Sequence, residues 1–247
     1  IEAAVAGDAV TLVEREPELG GQLRLAGLAP AHLELWERYR RSTGARLRAA
    51  GVTCELATEA DAGLADGFDL IVVATGARPY LPELPGLSHP AVSAWDAIRA
   101  PAQVVGPALV ADWGGGWDGL DAAERLAGAG IRVSLACAAL APGETLHQYQ
   151  RNLYLARLDD LGVDILHHHE LAAAGGQVDL RHVFSGRRRP LPEIATLVLA
   201  QGRAPADDLW RELESHPGAV RAGDVLGPRT LEEAVLEGTR AVLVDLN

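Results

Sequence analysis

Methionine is missing from all 247 residues and the chain opens on Ile1, so no initiator is visible and the sequence reads as an internal piece of a longer polypeptide. Cysteine is nearly missing as well. Cys54 and Cys137 stand far apart, each inside a strand-like run, which leaves no Cys-x-x-Cys redox pair and no ligand set for zinc or an iron–sulfur cluster. Two buried thiols in a reducing, cytoplasmic compartment and no metal site are expected. No apolar run approaches the ~20 residues that cross a bilayer. The N-terminus also lacks the basic region and apolar core of a secretory signal, so neither a membrane nor export is expected. Cations are in deficit: 22 Lys and Arg against 34 Asp and Glu give a formal charge of −12, a field that repels phosphate polyanions and disfavours nucleic acid as a partner. Serine is sparse and no Gly-x-Ser-x-Gly elbow occurs, which disfavours hydrolysis.

What is present suits a globular enzyme of two ordinary domains, with 48% apolar and 23% charged residues and enough length to bury a core. The most informative stretch runs from Asp112 to Glu124. It follows an apolar run, opens a helical pattern, and reads Gly114-x-Gly116-x-x-Gly119 with Asp121 just beyond. Glycines in that spacing let backbone N–H groups approach a pyrophosphate at a helix N-terminus.

The rest of the chain punctuates in the same style. Ala9 to Val13 form a β-branched run that ends at Glu14. A carboxylate there, at the end of a second strand, is where a ribose 2′-hydroxyl is held, about 20 residues after a glycine motif. That count places the first motif upstream of Ile1 and makes Glu2 to Ala6 the tail of its helix. Leu19 to Leu23 reads as a flexible turn, His32 to Ala50 as a helix, and Val52 to Ala57 as a strand. Asp69 to Ala74 reads as a strand buried on both faces, ending in Thr75-Gly76. The proline-spaced Arg78 to Gly86 reads as an extended crossover. A second βαβ unit repeats the first: a strand over 108–111, a helix over 117–127 and a strand over 131–136. Thr145 to Leu161 follows as a helix whose stripe is Leu146, Tyr149, Leu153 and Leu161. Strands are expected over 163–166, 177–184 and 196–200, with a hairpin turn at Ser185-Gly186-Arg187, and a helix over 228–246.

In this order, Glu14, Gly20-Gly21-Gln22-Leu23, Ala74-Thr75-Gly76, Gly114 to Gly119, Gln201-Gly202-Arg203 and Gly223-Asp224 resemble the pyridine nucleotide-disulfide reductase superfamily. More narrowly, Gly143-Glu144-Thr145-Leu146-His147 and Gly223 to Arg229 look like the C-terminal half of 2,4-dienoyl-CoA reductase and trimethylamine dehydrogenase-type flavoproteins, relatives of old yellow enzyme. The resemblance implies an α/β fold of two Rossmann-like dinucleotide-binding domains, the second inserted in the first and the first truncated at its N-terminus. Residues 1–95 and 204–247 would form the FAD domain, without its first strand and glycine loop, and 96–203 the NAD(P)-type domain. Glu14 would accept from the adenosine ribose, and Gly20, Gly21 and Gln22 would lie along the cofactor. Thr75 and Gly76 would let the chain pass close to it, and Asp224 would bond the ribityl or pyrophosphate region. Gly114, Gly116, Gly119, Asp121, Gly202, Arg203 and Gly223 complete the implied cofactor-binding set. FMN and an iron–sulfur cluster belong, by the same resemblance, to a barrel domain that precedes this half and is its implied partner.

Departures from the pattern shape the functional expectation. Without the first glycine loop, the chain alone should hold a dinucleotide poorly. The position that would choose NADH or NADPH falls near Cys137, where neither preference is legible. Asp112 and Trp113 replace the usual apolar residues before the second turn, so a working NAD(P)H site and a turn that only packs helix on strand both stay open there. His167-His168-His169 suggests a metal, but a solvent-facing strand end explains it better; Arg187-Arg188-Arg189 suits a 2′-phosphate but reads more simply as a hairpin tip. No catalytic side chain can be named. Two readings follow from the resemblance: an FAD-dependent module relaying electrons between NAD(P)H and flavin for the barrel, or a structural module that holds ADP and has no catalysis of its own.

Overall fold

The apolar run at 108–111 lies inside a parallel sheet, and the glycines that follow Asp112 and Trp113 turn the chain into a helix. The computed structural model describes residues 1–174 and 176–243. The first stretch contains α1 (Glu2–Ala6), β1 (Thr11–Glu14), α2 (Gly21–Ala26), α3 (Leu33–Ala49), β2 (Thr53–Leu56), β3 (Ile71–Val73) and β4 (Ala77–Pro79). The middle contains β5 (Ala91–Ser93), α4 (Ala94–Arg99), β6 (Ala108–Asp112), α5 (Trp117–Gly128), β7 (Val133–Cys137), α6 (Gln148–Asp160), β8 (Asp164–His167), β9 (His169–Ala174), β10 (Gln177–His182) and β11 (Arg188–Pro190). The last stretch contains β12 (Thr196–Ala200), β13 (Arg203–Pro205), α7 (Asp208–Leu213), β14 (Ala219–Arg221) and α8 (Leu231–Leu243).

These elements divide into two compact units. Unit 1 takes Ile1–Arg24, Leu35–Arg78 and the chain from Arg203 onward; unit 2 takes Leu25–Glu34 and Pro79–Gly202. The break falls at Arg78/Pro79 rather than near residue 95, because β5 pairs in parallel with β12 and draws residues 79–95 into unit 2. The ten-residue excursion at Leu25–Glu34 has no counterpart in the expected division. It joins unit 2 because Leu25 packs on that unit's core and His32 is hydrogen-bonded within it.

In unit 2, five parallel strands lie in the order β5-β12-β6-β7-β8. Every residue of β6 and β12 is buried, which is why Ala108 to Ala111 and Leu197 to Ala200 read as continuous apolar runs. Side chains alternate between the faces. Val110, Leu135 and Val198 meet α4 and α5 through Ile98, Leu120, Ala123 and Leu126. Leu109, Ala136, Leu197 and Leu199 meet Leu180 of an antiparallel sheet ordered β11-β10-β9. Fully burying each such leucine contributes roughly 1.5–3 kcal/mol. The β10–β11 hairpin turns where expected, with Gly186 at φ 67°.

In unit 1, β1 pairs in parallel with β2, and β3 with β14, as two separate ladders. The core around the second ladder is small, consisting of Ala65, Val73, Leu213 and Val225. None of the described residues of α1, α2 or α8 is buried, although α8 carries Leu231, Val235 and Leu236. Just before α8, the Thr230 hydroxyl and amide both donate to the Glu233 carboxylate, which holds that carboxyl below its ordinary value.

Several expectations need correction. The supposed flexible turn at 19–23 is the start of α2, because the positive φ at Gly20 and Gly21 turns the chain directly into a helix. The helix expected from Thr145 begins only at Gln148, after His147 caps it, and its buried residues are Tyr154 and Leu158. Tyr149, Leu153 and Leu161 face water, so the stripe was assigned to the wrong side, with Leu146 lying outside the helix. Cys54 is exposed, because every residue of β2 is exposed; Cys137 is buried as expected. β3 buries only Val73, because its sheet has two strands and packs on a core of just four buried residues. No described helix is long and apolar enough to cross a membrane.

Candidate functional site

Unit 1 gathers residues from four distant parts of the sequence into one polar cluster. Gln22, in the first turn of α2, donates from Nε2 to Asp224 Oδ2 at 2.9 Å. Arg203, opening β13, donates from Nη1 both to Gln22 Oε1 and to Asp224 Oδ2, each at 2.9 Å, and from Nη2 to the Arg229 carbonyl. The Arg229 amide donates to the second Asp224 oxygen at 3.0 Å, and its guanidinium reaches Glu237 of α8. Glu237 in turn accepts from the Gly223 amide at 2.8 Å. Gly76 brings its backbone close, since a Cβ there would stand 3.5 Å from Gln22 Nε2. Thr75 donates its hydroxyl to the Ala206 carbonyl at 2.6 Å.

Of the residues expected to line a first cofactor, Gln22, Gly76, Arg203, Gly223 and Asp224 are thus joined directly or by a single intermediary. Glu14 ends β1 as expected, and its carboxylate accepts from the Glu16 amide at 2.9 Å. Gly20, two residues before Gln22, sits at φ 126° with a Cβ position only 2.4 Å from the Trp36 ring. Gly20→Ala is therefore expected to cost about 1–3 kcal/mol, since Trp36 must shift and the alanine must adopt a left-handed backbone. Urea unfolding followed by tryptophan fluorescence tests this; an unchanged midpoint would show that Trp36 yields freely. From sequence, Arg229 enters only as the end of the Gly223 to Arg229 string, without a role, and Glu237 is not anticipated.

The second candidate, the glycine turn, lies wholly in unit 2. Gly115 sits at φ 60°, where a Cβ would meet Ala139 at 2.8 Å, and Gly116 caps α5 without help from a side chain. Thr145 donates its hydroxyl to the Gly115 carbonyl at 3.2 Å, tying the 143–147 segment to the turn. Asp112 is 4% exposed and accepts on Oδ1 from the amides of Gly114 at 3.1 Å and Gly115 at 3.0 Å. Its Oδ2 is buried without a hydrogen-bond partner. Burial above all, and then the nearby Asp118 charge, raise its carboxyl to about 7 against the two backbone N–H groups that lower it. Cys137 lies opposite on β7, and burial and the Asp112 charge push its thiol up to about 12.

Asp121 does not join this turn. It is 2% exposed and accepts from the Tyr154 hydroxyl, with His32 Nε2 at 3.3 Å and on the same hydroxyl at 3.2 Å. Trp117 stands edge-on to His32 at 4.3 Å. Those partners engage the Asp121 carboxylate on the side of Tyr154 and His32. Burial, and then Asp121, hold the Tyr154 phenol far above its ordinary value. Gly202, at φ 92°, has open space where a Cβ would be, and its carbonyl accepts from the Tyr80 amide.

No group of His, Cys, Asp and Glu among the described residues could hold a metal ion. His168, at φ 60°, separates β8 from β9, so His167 and His169 stand on different strands. Arg188 at the hairpin pairs with Asp179 at 3.7 Å.

A family model described as pyridine nucleotide-disulphide oxidoreductase matches residues 37–221. The probable N-methylproline demethylase of Rhizobium meliloti is 30% identical over 230 residues, 89% of this chain and 33% of that protein. The bilirubin reductase of Mediterraneibacter gnavus is 35% identical over 136 residues, 54% of this chain and 21% of that protein. The chain thus spans about a third or less of the length of these curated relatives. Among solved structures, a 2-naphthoyl-CoA reductase complex matches with a TM-score of 0.85 at 23% identity, over 98% of this chain and 37% of that one. Histamine dehydrogenase from Rhizobium sp. 4-9 matches with a TM-score of 0.82 at 22% identity, over 97% and 40%. At those identities the two structures speak for the fold.

Proposed function

The chain belongs to the pyridine nucleotide-disulphide oxidoreductase family, and from that premise we propose that it is the nucleotide-binding part of a flavin-dependent oxidoreductase whose unit 1 holds FAD. The observation that carries this reading is the Gln22–Arg203–Asp224 cluster beside Gly76. Its donors fit the group: a guanidinium and a primary amide suit a pyrophosphate, a carboxylate suits ribityl or ribose hydroxyls, and a glycine leaves the room a side chain would fill. When bound, the flavin supplies the redox chemistry. Arg203 holds Asp224 and Gln22 in register, so ligand oxygens meet donors whose geometry is already fixed. Glu14, which ends β1, would accept from a ribose hydroxyl.

The strand and glycine loop that complete this half would lie upstream, between the two separate ladders of unit 1. Support comes from those ladders and from α1, α2 and α8, none of whose described residues is buried. A barrel with FMN and an iron–sulfur cluster would precede them and exchange electrons with the FAD; the greater length of the relatives agrees with this. Unit 2 would receive NAD(P)H in the relay reading. Asp112 favours the alternative of a structural nucleotide module, because a buried carboxylate under the turn does not suit a pyrophosphate while it is ionised.

Cofactor release from the full-length parent protein separates the two readings. FAD beside FMN, bleached by NADH or NADPH, supports the relay, whereas ADP or an empty site supports the scaffold. In that parent protein, Asp224→Ala removes the acceptor on which Gln22, Arg203 and Arg229 converge. It is expected to weaken FAD retention by about 10- to 100-fold, the equivalent of losing one or two charge-assisted bonds. Unaltered FAD content after dialysis would exclude Asp224 from the site.

A further inference from the structure

The glycine turn of unit 2 carries an anion of its own. Asp112 ends a strand with every residue buried, takes the Gly114 and Gly115 amides on Oδ1, and leaves Oδ2 buried without a partner. The side chain lies under the turn against the start of α5: a Cβ on Gly119 would stand 2.8 Å from Asp112 Cβ and Cγ and 3.0 Å from Oδ2. A phosphate on the outer side of that turn would share one helix N-terminus with this carboxylate, and a helix end that favours one negative charge is opposed by a second. We propose that Asp112 is a proton-controlled gate on this turn, which holds the pyrophosphate of a dinucleotide only when Asp112 carries a proton.

The inference rests on unit 2 being a dinucleotide-binding unit. An orphaned, buried Oδ2 is where such a proton would sit, since a carbonyl-like Oδ1 still serves both amides. The titratable groups around it reinforce the effect. Asp118 on α5 opposes ionisation of Asp112, the Cys137 thiol across the β6–β7 register is neutral, and Glu144 beyond it is acidic and bonded to the Leu140 amide. From β12, the residue opposite Asp112 is Ala200, which adds no charge. With its carboxyl at about 7, Asp112 is about 90% protonated at pH 6 and about 10% at pH 8, so binding changes by about tenfold.

The test is a titration of the full chain with NAD+, whose pyrophosphate does not change charge over this range, followed through the 15N amide signals of Gly114, Gly115 and Gly116. The native chain is expected to bind about tenfold more weakly at pH 8 than at pH 6. Asp112→Asn is expected to show a flat profile and to exceed the native chain at pH 8. A flat native profile, or a slope that survives in Asp112→Asn, overturns the gate while leaving unit 2 as a nucleotide site. If neither protein responds to NAD+ at pH 6 although the Asp112 carboxyl carbon titrates near 7, the dinucleotide reading of unit 2 fails and the gate falls with it. The native pH series decides the matter even if the variant does not fold.

Discussion

Asp112→Asn is expected to stabilise the chain by up to about 4 kcal/mol at pH 8 and to change little at pH 4. The folded carboxyl stands at about 7 against an ordinary value of 3.8. Below the lower value both folded and unfolded chains are protonated there, and the site costs nothing. Between the two values the folded chain keeps a proton that the unfolded chain has released, so native stability falls as the pH rises. Above 7 the full difference between the two values applies, equivalent to about 4 kcal/mol. Asparagine is neutral throughout and its Oδ1 can still accept from Gly114 and Gly115. Urea midpoints at pH 4, 6 and 8, with unchanged slope, measure the effect. A gain of equal size at all three pH values would mean that shape, and not ionisation, separates the two side chains.

Tyr154→Phe should cost about 3 kcal/mol. The hydroxyl it removes is the donor to a carboxylate that is 2% exposed and whose other partner among the described residues is His32. Losing one partner leaves a buried acceptor that water cannot reach, and that penalty exceeds the worth of the bond itself. The ring stays in place beneath the Arg157 guanidinium, 4.4 Å from its centroid, so packing is preserved. Adding Asp121→Leu to Tyr154→Phe should recover part of the loss, since the stranded carboxylate goes with it. A Tyr154→Phe protein within about 0.5 kcal/mol of native would show that Asp121 is satisfied without Tyr154.

The second βαβ unit was legible because its signals are local and agree with one another. A buried strand, a glycine turn and an amphipathic helix over 108–137 lie within a residue or two of where the sequence places them. The 196–200 strand matches at both ends, since a threonine and four apolar residues buried on both faces leave no choice of face. Local pattern failed where long-range partners decide. Tyr154 faces inward because Asp121 and His32 lie opposite it, 33 and 122 positions away, and nothing in the helix's own periodicity says so. Cys54 reads as a core thiol on its β-propensity, but its strand belongs to a two-stranded ladder and all four of its residues are exposed. The unit 1 cluster was legible residue by residue, from Gln22 to Asp224. Its closure by Arg229 and Glu237 was not, because surface charges carry no spacing rule. Asp112 was visible as an acid in an apolar place, and only the structure shows that the turn's own amides hold it.

The excursion at Leu25–Glu34 limits how the protein can be dissected. A recombinant segment cut at Pro79 and Gly202 would appear to contain all of the second sheet, yet it would lack His32 and the apolar Leu25. Asp121 would keep only its tyrosine, and the indole of Trp117 would lose the ring stacked edge-on against it. Any excised version must therefore carry those ten residues grafted back, or supplied as a separate peptide.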